Sequence, residues 1–182
     1  SEAERVIRES ERLTDELRKE LEKALRRSKK LSDELRKIHE DANREVRKLI
    51  EDLKRTIGTE SEEARDVLRK LEKELDRLRR ESERVEKESE DLNREIKRRL
   101  DELLRRSEEL NERIRDLLRK GTREEILKKL LDESRDTVRR VEDTVRKLVR
   151  RSEEFVRKSK ERVKRLLDDV RRKIEDVKRK TK

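Results

Sequence analysis

The sequence has no cysteine, proline, methionine, tryptophan or tyrosine, one phenylalanine and two glycines. Several of these absences remove a class of chemistry. Without cysteine there are no disulfides, thiolate metal sites or cysteine nucleophiles. With Phe155 as the single residue among Phe, Tyr and Trp, no row of aromatic side chains is available on which nucleic-acid bases could stack. No apolar run approaches the roughly 18 residues of a membrane span, and residues 1–10 do not read as a signal peptide. There is no glycine-rich phosphate loop, no metal-ligand cluster and no nucleophile motif. No cofactor is therefore expected, and the chain is read as no enzyme.

Charge is what the chain has in abundance: 59% of its residues are charged and 27% apolar. Such a composition fits either disorder or a coiled coil, whose seam uses two positions in seven. The net charge is +10, from 59 basic and 49 acidic residues. The two signs are interleaved throughout, as in the stretch from Arg69 to Glu74, which reads as helix-surface pairing. No basic face is free of acids, so neither nucleic acid nor a membrane is expected as a partner.

The two glycines cut the chain into near-equal thirds. Gly58 is followed by Thr59 and Glu62, and Gly121 by Thr122 and Glu125. Glycine suits the left-handed residue that ends a helix, and threonine with a glutamate three positions on forms a capping box. Ser1 with Glu4 repeats the arrangement. Three helices follow, over about 2–57, 60–120 and 123–181, each roughly 85 Å long at the helical rise. Loops this short make consecutive helices antiparallel. The expectation is a single all-α, up-down-up three-helix coiled-coil bundle covering 1–182.

Periodicity decides against disorder. Leu17, Leu21, Ala24, Ser28, Leu31, Leu35 and Ile38 advance by alternating steps of four and three. So do Leu68, Leu71, Leu75, Leu78, Ser82, Val85 and Ser89, and, in the last third, Val138, Val141, Val145, Leu148, Ser152 and Phe155. This is the 3.5-residue repeat of a left-handed supercoil. Two consecutive steps of four then occur at Ile38-Ala42-Val46, Leu92-Ile96-Leu100 and Phe155-Ser159-Val163. Such stutters relax the supercoil locally.

Serines at seam positions are the candidate site. Folding the chain about its glycines places Ser10 level with Ser107 and Ser134, Ser28 level with Ser89 and Ser152, and Ser82 level with Ser159. A serine nucleophile needs a general base within reach, and neither triple layer offers one. These layers read as register devices that penalise slipped pairings. His39, the sole histidine, forms an i, i+4 pair with Asn43 beside the first stutter. The pair reads as a candidate hydrogen-bond network at the core edge, because a stutter turns such positions inward. Asn93 and Asn111 flank seam leucines and share that ambiguity.

Taken together, the chain resembles de novo designed helical bundles, in particular parametric coiled-coil bundles with buried hydrogen-bond networks. The resemblance spans the whole chain. It rests on the repeated capping boxes, the Gly-Thr connections, the near-equal helices and surfaces of Glu, Lys, Arg and Asp. It implies a soluble synthetic protein with no native compartment, cytoplasmic if made in bacteria, that serves as a structural scaffold needing no partner. The alternative is an interaction module for itself or for another designed helix. That reading starts from the third helix, where Val149, Val156, Val163, Val170 and Val177 form a seven-residue ladder on a broad apolar face.

Overall fold

The computed structural model describes residues 2–180, without the side chains of residues 2 and 3. Three helices make up the fold: α1 (Glu2–Ile57), α2 (Glu62–Arg119) and α3 (Glu124–Lys180). No strand occurs among the described residues. The all-α, three-helix expectation holds, and the two breaks fall at the glycines.

Both glycines adopt positive φ, 73° at Gly58 and 69° at Gly121. Residues with a Cβ avoid this region, so glycine is the cheap way to reverse the chain there. The two stops differ in detail. The Gly58 amide donates to the Lys54 carbonyl at 2.9 Å, a single closing bond. At the second stop Gly121 donates to Leu118 at 3.2 Å and Thr122 to Leu117 at 3.1 Å. That nested pair is the Schellman arrangement.

The caps themselves lie later in the sequence than the threonines suggest. Ser61 caps α2: its carbonyl accepts from Arg65 at 3.1 Å and its hydroxyl from the Ala64 amide at 3.1 Å. Thr59 therefore lies two positions before the cap, and Glu62 is the first helical residue, not the closing member of a box. The physical reason is local. A serine hydroxyl at position 61 reaches the free amide of the first turn, so the loop lengthens to Gly58–Ser61. In α3 the first carbonyl to accept is that of Arg123, from Ile126 and Leu127, so Thr122 and Glu125 are likewise one position out of box register. Ser1 lies outside the described residues, so its pairing with Glu4 does too.

The chain divides into two compact units, each holding a stretch of every helix. One comprises Ser1–Lys29 and Asp91–Ser152, the other Lys30–Glu90 and Glu153–Lys182. In the first unit, Leu17, Leu21, Leu100, Val141 and Leu148 form one apolar cluster. A second in the same unit gathers Val6, Leu13, Ile114, Leu127 and Val138. The other unit has Val46, Leu53, Leu71, Leu78, Val163 and Val170 in its larger cluster, with Leu31, Leu35, Val85 and Val156 in a smaller one.

The stutters show their effect in this second unit. At Ile38 the heptad seam would continue with isoleucine, yet Ile38 is half-buried and His39 beside it is buried. In α3 Phe155 is half-buried and Val156 is buried. A four-residue insertion rotates the inward face by part of a turn, and each neighbour replaces the expected residue.

The valine ladder of α3 faces inward. Val156, Val163 and Val170 are buried within their unit, where Val177 packs partly buried against the same core; Val149 does so in the other unit. The valine ladder thus contributes to the core of each unit. Among the described residues, the one large apolar side chain left exposed is Ile126.

Ion pairs decorate the outside. Within the first unit Arg135 of α3 meets Glu9 of α1 at 3.6 Å. Within the second, Lys160 meets Glu34 and Arg171 meets Glu45. Each joins residue n of α1 to residue n plus 126 of α3, so those two helices run parallel. Exposed pairs of this kind contribute little each, and their value here is in marking alignment.

Candidate functional site

Polar side chains on α1 and α2 meet in the interior, and their bonds reveal the pairing. In the first unit the Ser10 hydroxyl donates to Asn111 Oδ1. The Asn111 amide donates to Thr14 Oγ1 at 2.6 Å, and Thr14 lies 3.2 Å from Ser107 Oγ. The Ser28 hydroxyl donates to Asn93 Oδ1. In the second unit Ser32 bonds Ser89 at 2.7 Å, and His39 Nδ1 lies 2.9 Å from Ser82 Oγ. Five of these six inter-helix bonds obey one rule, joining residue n of α1 to residue 121 minus n of α2, and the sixth, from Asn111 to Thr14, ties neighbouring pairs together.

This corrects the pairing expected from the sequence. Folding about Gly58 joins residue n to 117 minus n, which puts Ser10 opposite Ser107 and Ser28 opposite Ser89. The observed alignment is four residues, about one helical turn, further along α2. The longer Gly58–Ser61 loop supplies part of that shift. Ser10 consequently bonds Asn111 with Thr14 between it and Ser107, and Ser28 bonds Asn93.

The α3 serines are buried but take no part in these chains. Ser134, Ser152 and Ser159 are each at most 4% exposed. Ser134 Oγ and Ser152 Oγ have no hydrogen-bond partner. A buried hydroxyl without a partner keeps its desolvation cost and gains nothing for it. Ser134→Ala is therefore expected to raise stability, by about 1 kcal/mol. A urea midpoint that fell on this substitution would show that Ser134 holds a partner in solution.

Could Ser82 and His39 form a nucleophile and base? The geometry opposes it. Ser82 Oγ also lies 2.7 Å from the Leu78 carbonyl oxygen. A carbonyl can only accept, so the Ser82 proton points at Leu78, and the imidazole donates its Nδ1 proton to the serine. The hydroxyl is held as an acceptor from the histidine, the reverse of activation. His39 Nε2 is left with a bare lone pair, buried and without a partner, as is Asn43 Oδ1 one turn on.

Burial pushes the His39 pKa below its ordinary 6.5, opposed by the carboxylates of Glu81 and Glu86. The histidine is thus neutral in the fold near pH 7. The sign of the stability effect follows. Because the folded value is depressed, stability is full above about 6.5 and declines as pH falls below it, since the unfolded chain takes up the proton more readily. His39→Gln is expected to remove that decline. Denaturant midpoints for both proteins between about pH 7.5 and pH 5.5 check this, because the carboxylate contributions are shared. Parallel curves would mean His39 titrates as if exposed.

No group of three or more His, Cys, Asp or Glu side chains placed to hold a metal ion occurs among the described residues. No helix there is long and apolar enough to cross a membrane. No family model matches the chain, and neither the curated proteins nor the solved structures hold a significant match to it.

Proposed function

We propose that the chain is a designed helical bundle serving as a structural scaffold, with no catalytic activity and no obligatory ligand or partner. In this reading the three helices form a coiled coil whose hydrogen-bonded polar residues select one alignment of α1 with α2. The observation that carries it is the constant pairing of residue n with 121 minus n in both units. Two polar residues four apart on α1, Ser10 and Thr14, meet two polar residues four apart on α2, Ser107 and Asn111. Sliding one helix by a turn, to 117 minus n, would still set Ser10 opposite Ser107 but would put Thr14 opposite Leu103 and Asn111 opposite Val6. Leaving those two polar groups unpaired costs more than the bonds themselves contribute.

The inward valine ladder supports a self-sufficient chain. The measurement to make is molar mass by light scattering across a hundredfold range of concentration. A constant mass near 22.3 kDa is expected. A concentration-dependent dimer would sink the scaffold reading and return the chain to the class of interaction modules.

A further inference from the structure

A cleft of about 320 Å³ opens between α1 and α2 within the second unit. Leu35 and Val85 form its apolar part, with His39 and Asn43 of α1 contributing polar groups. His39 is only 5% exposed. Two features of the cleft are unbalanced. First, its buried unpartnered groups, His39 Nε2 and Asn43 Oδ1, are both hydrogen-bond acceptors. The histidine assignment follows from Ser82, whose proton goes to Leu78 and whose oxygen takes the Nδ1 proton. The spacing of four places the two side chains on one helix face. Nor does the nearest hydroxyl supply a donor, because the Ser82 proton is committed to the Leu78 carbonyl. Second, the carboxylates of Glu40, Glu83, Glu86 and Glu90 outnumber the three arginines that line the same cleft.

An occupant complementary to this cleft is small, presents adjacent N–H donors on one edge, carries positive charge and has an apolar body. The volume, at the lower end for ligand sites, suits a single ring. We propose that the cleft binds planar amidinium-type molecules, the donor fork bonding His39 Nε2 and Asn43 Oδ1 while the ring lies against Leu35 and Val85. Water offers the same two donors in its smallest form and is the competing occupant. This inference is independent of the scaffold reading, which assigns the cleft no ligand.

The single histidine makes the test direct, because its imidazole resonances in a ¹⁵N-labelled protein belong to one residue. Benzamidine, benzamide, benzylamine and benzoate are titrated in turn against the intact protein. Benzamidine is expected to shift the His39 signals saturably. Benzamide and benzylamine, lacking the charged fork, are expected to bind about tenfold more weakly or less, and benzoate not at all. Asn43→Leu, checked for unchanged helicity, is expected to weaken benzamidine by about tenfold through loss of one acceptor. A flat benzamidine titration overturns the proposal. So does an equal response to benzylamine, which would indicate charge attraction alone. Persistent contacts between the His39 ring and a long-lived water at excess benzamidine overturn it as well, and would assign the cleft to water.

Discussion

Asn111→Ala is expected to lower stability by about 1–3 kcal/mol, a large effect for a half-buried polar residue. Asn111 is the hub of its chain, accepting from Ser10 and donating to Thr14. Those two partners are 2% and 4% exposed, so truncation strands the Ser10 hydroxyl in the interior and takes one bond from Thr14. Thr14 keeps two contacts, with the Ser10 carbonyl at 3.1 Å and Ser107 Oγ at 3.2 Å. Ser10 has no comparable bond in this arrangement, and most of the loss is expected to come from it. A double-mutant cycle separates the contributions. Adding Ser10→Ala to Asn111→Ala is expected to recover part of the stability, because the stranded group is then gone. Guanidinium midpoints at fixed protein concentration measure all four proteins. Strict additivity of the two substitutions would show that the bond does not form in solution.

The polar chains mark the boundary between what the sequence reveals and what it conceals. Helix positions and inward faces were legible, because leucine and valine at steps of three and four leave few alternatives. The breaks were legible from Gly58 and Gly121. The alignment of α1 with α2 was not, because it depends on loop length, and that depends on whether Thr59 or Ser61 caps the helix. Both are good caps, and the choice moves the pairing by a large part of a turn. One signal could have settled it. Ser10 and Thr14 share their four-residue spacing with Ser107 and Asn111, as Ser28 and Ser32 do with Ser89 and Asn93. Matching those pairs head to tail gives the observed rule directly. Asn93 and Asn111 were legible only as flanks of seam leucines, and their roles became clear once the alignment was known.

His39 shows a different limit. A pure heptad would bury Ile38 and expose the histidine, whereas the stutter exchanges them. The sequence shows that a stutter exists but not how far it rotates the face. That rotation depends on how Leu35, Ala42 and Val46 pack against their neighbours. Similarly, the ladder from Val149 to Val177 reads as a spare apolar face when α3 is considered alone. Its burial follows from the way the inward face of α3 moves from Phe155 to Val156 after the stutter.

The largest single loss is expected at Ile114→Ala, about 2–5 kcal/mol. Ile114 is fully buried in the cluster with Val6, Leu13, Leu127 and Val138. Two terms add: the transfer of the removed carbons and the cavity their neighbours cannot close. Closure is hard here because the surrounding residues stand on three long helices, whose backbones move only together. The internal control is Ile126→Ala, the same chemical change at a side chain 45% exposed. Its effect is expected to be a small fraction of that at Ile114, within about 0.5–1 kcal/mol, since little apolar area leaves water there. Urea unfolding of both variants gives the comparison, and amide exchange locates it: protection is expected to fall first around residues 110–118 and 127–138. Similar losses at the two sites would mean that Ile126 is covered in solution, and a covered Ile126 would point to self-association through the start of α3. Because light scattering tests that same association independently, the two measurements together determine whether this chain completes its own core.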